Sequence, residues 1–125
     1  MMKAGLYYIG DLCYVLHDEW DECCELFFEG RNDHGCNQGE FQLKDGRLFA
    51  NFNTAHGDGT YTDQGGSREY PVDSGSIGCI LVKDVDVDNK NNRLDYGNTI
   101  KFEDDFEVGN ANGTIIFGHI RIKTK

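Results

Sequence analysis

The chain has 125 residues, 22 acidic against 12 basic, and a net charge of −10. That length suits one domain over residues 1–125 with a real core. The charge excludes a general binder of DNA, RNA or anionic membranes, which would draw its affinity from Lys and Arg contacts to phosphate. Sixteen glycines with a single proline and 14 Phe and Tyr residues point to tight turns between strands and not to disorder.

Leu6–Ile9 and Cys13–Leu16 read as two short strands, or one strand bent at Gly10-Asp11. Asp18–Phe28 reads as the one helix, with Asp18 as its cap and Asp21 at the capping-box position. Trp20, Cys23, Cys24 and Phe27 follow the i, i+3, i+4, i+7 spacing of a buried stripe, and Gly30 offers a stop. Arg31 to Gly39 reads as a polar loop. Glu40–Leu43 and Leu48–Asn53, joined through Asp45-Gly46, carry the signature of a β-hairpin. Residues 56–66 are turn-rich, with Tyr61 as their anchor.

Ile77–Val82 reads as a central strand, extended by the strict alternation of Asp84-Val85-Asp86-Val87-Asp88. Thr99–Phe102 and Phe106–Val108 read as strands flanking an acidic bend. Asn110–Gly113 turns into a last strand, Thr114–Thr124, with Ile116, Gly118, Ile120 and Ile122 on one face. Many short strands with one helix define an α+β, mostly β chain. The expected architecture is a single antiparallel sandwich or barrel-like domain with one short amphipathic helix near the N-terminus. No apolar run approaches the roughly 18 residues that span a bilayer, and the N-terminus does not read as a signal peptide. Five cysteines, an odd number with Cys23 and Cys24 adjacent, suit reduced thiols in cytoplasm.

Several constellations could carry chemistry. Asp84, Asp86, Asp88 and Asp95 fall at positions 1, 3, 5 and 12 of a calcium-loop template, but Asn89 stands where Gly makes the turn. The competing reading is an alternating strand with an acidic solvent face and no cofactor. Val72-Asp73-Ser74-Gly75-Ser76 matches the local signature of an aspartic protease, which in so short a chain would need a homodimer. Asp-Ser-Gly is equally a plain turn.

His56-Gly57-Asp58-Gly59, with Asp73 and Ser74 downstream, offers two alternatives. One is a small hydrolase using His56, Asp58 and Asp73. The other is a Gly-rich binder of a nucleotide second messenger, with Arg68 and Arg47 as the candidates to hold the phosphate. Cys23, Cys24, His34 and Cys36 are half of a zinc pattern, since a second spaced pair is missing.

The most distributed feature is acid without base: Asp18, Glu19, Glu22, Glu25 and Glu29 along the helix, and Asp104 and Asp105 in the bend. Solvation explains such charge. The sharper expectation is an acidic surface that imitates a phosphate track and docks in a basic cleft of a nucleic-acid-handling protein. A second copy of the chain also stays open as a partner.

Three segments carry a resemblance. They are Tyr7-Tyr8-Ile9-Gly10-Asp11-Leu12-Cys13-Tyr14-Val15-Leu16, then Ala55–Tyr61 with Tyr70–Gly78, then Phe117–Thr124. In this order the chain resembles a mainly uncharacterised group of small tailed-phage and bacterial proteins that open with a "YIGDPCYV"-like motif, with Leu12 in place of the Pro. The resemblance implies a phage setting, the host cytoplasm and no reaction. It also implies that Asp58, Asp73 and Gly75 are turn positions that hold the fold. The expectation is a non-enzymatic accessory protein that binds and inhibits a host factor, such as a component of antiviral defence.

Overall fold

The computed structural model describes residues 1–29 and 37–125. In chain order the strands are β1 Gly5–Gly10, β2 Gly39–Gln42, β3 Leu48–Asn53, β4 Gly59–Thr62, β5 Glu69–Val72, β6 Ser76–Leu81, β7 Asn98–Phe102, β8 Val108–Ala111, β9 Thr114–Phe117 and β10 Ile120–Lys123. The single α-helix among the described residues, α1, runs Trp20–Phe28. All pairings are antiparallel. A five-stranded sheet has the order β2-β3-β6-β1-β7, a three-stranded sheet the order β10-β9-β8, and β4-β5 form a separate hairpin. No sheet closes into a barrel, so the mostly β, antiparallel expectation holds in its sandwich form.

The centre of the five-stranded sheet is buried on both faces, and side-chain alternation splits its residues between two cores. Tyr7, Ile9, Ala50, Phe52, Ile77 and Cys79 face a cluster completed by Ile115, Phe117, Ile120 and Ile122 of the small sheet and by Tyr70 and Val72 of the hairpin. Tyr8, Phe49 and Ile80 face the other cluster, completed by Leu12, Val15, Leu16, Cys23 and Phe27. Two buried faces explain why β6 reads as an unbroken apolar run.

Several expectations are corrected. Cys13–Leu16 is not a strand. The chain makes a 3-10 turn at Leu12–Tyr14, because the Asp11 carboxylate accepts the Cys13 N–H at 3.0 Å and bends the backbone. The helix starts at Trp20 with Glu19 at its cap position and no side-chain cap bond, while Asp18 turns to His17 and to Asn89 Nδ2. The strand β6 stops at Leu81. Beyond it a 3-10 turn at Val82–Asp84 and side-chain turns follow, Asp86 accepting from Asp88 N–H and Asn89 from Asn91 N–H.

The last strand is two strands. Gly118, at φ +59, turns β9 into β10, and a Cβ there would stand 3.0 Å from Phe106 Cβ. The turn reverses the parity, so Ile115 and Phe117 are buried together with Ile120 and Ile122. The final turn also moves. Asn110 and Ala111 belong to β8, and Asn112-Gly113 make the connection, while Phe106 forms only an isolated bridge to Met2.

Candidate functional site

The first and second segments of the resemblance meet directly. At the end of β1 the Asp11 side chain is fully buried. Its Oδ2 accepts the N–H groups of Asp73 and Ser74, each at 2.7 Å. Its Oδ1 accepts the Ser74 hydroxyl at 2.7 Å, besides the Cys13 N–H. Ser74 has then given its one proton to Asp11, so the 3.0 Å contact with Ser76 has Ser76 as donor. The Asp11 carbonyl accepts the Tyr8 hydroxyl at 2.9 Å.

Gly97 makes room for that ring. A Cβ at residue 97 would approach Tyr8 Cε2 to 2.5 Å. The Cys13 thiol beside this carboxylate is pushed up by burial first and by the Asp11 charge second, which keeps it protonated and a poor nucleophile.

The turn after β5 also holds the loop after β3. Thr54 N–H donates to the Gly75 carbonyl at 3.0 Å, and Thr54 Oγ1 donates to the Gly57 carbonyl at 2.6 Å. Tyr61 donates to the same Gly57 carbonyl at 2.9 Å, which makes it the anchor expected of it. His56, Asp58, Asp73 and Ser74 are therefore gathered at one end of the β4-β5 hairpin, where Gly59 pairs with Val72.

Arg68 is not with them. It sits at the other end, beyond the Thr62–Glu69 pair, roughly 10 Å along the ladder, and contacts Asp63 at 3.4 Å. No hydrogen bond joins the side chains of His56, Asp58, Asp73 and Ser74 to one another among the described residues, and the carboxylate that holds the Ser74 hydroxyl is that of Asp11, fully buried and already filled by backbone donors. The Asp73 and Ser74 N–H groups, which a Gly-rich anion site would offer to phosphate, are already taken by the protein's own carboxylate.

The acidic residues divide between two surfaces. The carboxylates of α1 lie over one side of the five-stranded sheet, near β2. The 103–107 bend follows β7, the opposite edge strand. Edge to edge the sheet is about 19 Å wide.

Four of the seven candidate acids have internal partners. Glu19 pairs with Arg47 at 2.7 Å, and Arg47 also binds Asp45 and the Asp84 carbonyl, so one guanidinium joins helix, hairpin turn and 3-10 turn. Glu22 accepts the Lys44 N–H at 2.7 Å, and Asp105 accepts the Ala4 N–H at 2.8 Å, the bond that chiefly lowers its pKa. Asp18 is held by His17 and Asn89 as described. Glu25, Glu29 and Asp104 are exposed, and their side chains make no hydrogen bond or ion pair among the described residues.

Glu25 and Glu29 rim a groove of about 430 Å³ floored by Leu26 and Phe28, with Lys44 the one base among the described residues of its lining. Phe28 is 56% exposed. The sequence reading missed both Asp11 and Phe28. Asp11 had a signal in its place between a strand end and a cluster of small residues. Phe28 had one in lying off the Trp20–Phe27 stripe.

The calcium candidates do not converge. Asp95 is held by Arg93 at 2.9 Å, which lowers its pKa, and Asp86 is used in the local turn. Among the described residues no three His, Cys, Asp or Glu side chains are grouped as metal ligands. His34, Cys36 and the Gly30 stop lie outside the described residues. No described helix is long and apolar enough to cross a membrane. Comparisons with protein-family models, with curated proteins and with solved structures find no match.

Proposed function

We propose that this protein acts by binding and not by catalysis, presenting the α1 carboxylates to a basic surface of another protein. One observation supports the reading above the rest: Glu25 and Glu29 stand unpaired among the described residues, in the lining of the same groove as an exposed Phe28. Unpaired carboxylates at a rim speed encounter with a basic partner, and a central aromatic supplies the contact that lasts. In the phage setting that the resemblance implies, the partner is a cytoplasmic host factor that handles nucleic acid, such as a component of antiviral defence. The nucleotide and hydrolase readings have less support, since Arg68 stands apart from the Gly-rich loops and the turn's N–H groups face Asp11.

Crosslinking in cells tests the proposal. Wild type and a Glu25→Lys/Glu29→Lys variant are expressed at equal levels, crosslinked, and their adducts quantified by mass spectrometry. A basic host protein recovered with wild type and depleted at least about tenfold with the variant is the expected result. The same adducts at the same abundance from both would refute it.

A further inference from the structure

Two grooves on the described surface are similar in size and mainly apolar in lining, and their charged lining residues sum to opposite sign. The first is the Leu26–Phe28 groove, rimmed by Glu25 and Glu29. The second, about 450 Å³, lies at the start of β1 and is lined by Ala4, Leu6, Val82 and Lys83. Leu6 is 46% exposed there. It stands opposite Lys101 in the β1–β7 register, and opposed residues of an antiparallel pair share a face. Lys101 reaches only Glu103, at 3.8 Å, and Lys83 pairs with no carboxylate among the described residues. One groove thus offers an exposed aromatic beside carboxylates, and the other an exposed aliphatic with Lys83 in its lining and Lys101 next to it across the β1–β7 pair.

We infer that the second groove of one molecule docks in the first groove of another, so that the chain recognises a second copy of itself. Leu6 then seats on Leu26 and Phe28, with Lys83 and Lys101 against Glu25 and Glu29. The two grooves are separate patches, so a closed dimer needs both contacts made reciprocally about a two-fold axis, each copy giving one and taking one. The net charge of −10 opposes association at long range. The complementary rims act only near contact, within roughly a Debye length, so the association is weak and concentration-dependent. It needs no other protein, and its outcome is independent of the host-factor reading, although both use the same groove and exclude one another there.

Sedimentation equilibrium on the purified chain tests this with two charge-reversal variants. Glu25→Lys/Glu29→Lys reverses the first rim and takes the net charge from −10 to about −6. Lys83→Glu/Lys101→Glu reverses the second and takes it to about −14. Wild type is expected to self-associate reversibly, and each variant alone to lose affinity by about tenfold or more. An equimolar mixture of the two is expected to regain the wild-type level, since each reversed rim then meets its complement. If net charge alone governed association, the variant near −6 would associate more tightly than wild type, and that result overturns the inference. A monomeric wild type at millimolar concentration, or a mixture that stays monomeric, overturns it equally.

Discussion

Asp11 and Glu25 are both carboxylates, and the fold treats them in opposite ways. Asp11 is fully buried and receives four hydrogen bonds from Cys13, Asp73 and Ser74. Glu25 is exposed and receives none among the described residues. A charge count adds the two together, yet one holds β1 to the turn before β6 and the other stands in solvent. The difference lies in the donors around each group. A buried carboxylate is tolerated when its lone pairs are filled, and an exposed one gains little from any single ion pair.

The largest effect is expected from breaking the interior side of this contrast. Asp11→Ala strands the Asp73, Ser74 and Cys13 N–H groups and the Ser74 hydroxyl. Urea denaturation should show a loss of about 3–5 kcal/mol. Glu25→Ala in the same assay should stay within about 0.5 kcal/mol of wild type. Equal losses at the two positions would erase the distinction.

Next in size is Gly97→Ala, which thrusts a methyl into the Tyr8 ring and toward the Ile9 carbonyl. Because the Tyr8 hydroxyl bonds the Asp11 carbonyl, the disturbance reaches the same junction. A loss of about 1–3 kcal/mol is expected, with reduced amide-exchange protection at residues 10–13. A loss confined to the loop before β7 would separate Gly97 from the junction.

A pH series sharpens the comparison further. Burial pushes Tyr7 and Cys23 up to about 12, and raises Tyr8, Cys13 and Tyr70 as well. Folding thus favours their protonated forms. That contribution is complete below the ordinary thiol and phenol values and is lost as pH rises, because the unfolded chain gives up its protons first. Urea stability should be flat near pH 7 and fall steadily above about pH 9. Stability that held to pH 11 would contradict it.

Much of the fold was legible because the signals are local. β1, the Asp45-Gly46 hairpin and the apolar β6 are set by turn residues and periodicity within a few positions. The stripe of α1 was legible for the same reason, with Cys23 and Phe27 buried as expected. What escaped depends on distant contacts. Gly118 turns where a side chain would meet Phe102 and Phe106, and a single reversal of parity exchanges inside for outside along the rest of the chain. The alternation at Asp84–Asp88 mimics a strand, but Asp86 and Asn89 bond their own backbone. The candidate site was legible only in outline. Asp73 and Ser74 stood out within a turn, while the residue that binds them lies sixty-two positions away. Arg68 is close to them in sequence and is held apart by the length of a hairpin.

The smallest expected effect is a null one. Glu25→Lys/Glu29→Lys should shift the melting temperature by no more than about 2 °C, since neither side chain has a partner to lose among the described residues. A larger drop would mean these carboxylates support the helix and are not free for binding.

The assignment of Asp11 as the internal clamp is tested most directly by a double-mutant cycle with Ser74. Wild type, Asp11→Asn, Ser74→Ala and the double variant are unfolded in urea at neutral pH. The 2.7 Å bond between the Ser74 hydroxyl and Asp11 predicts a coupling energy of about 1.5–3 kcal/mol. A coupling near zero, with the two single losses simply adding, would contradict it.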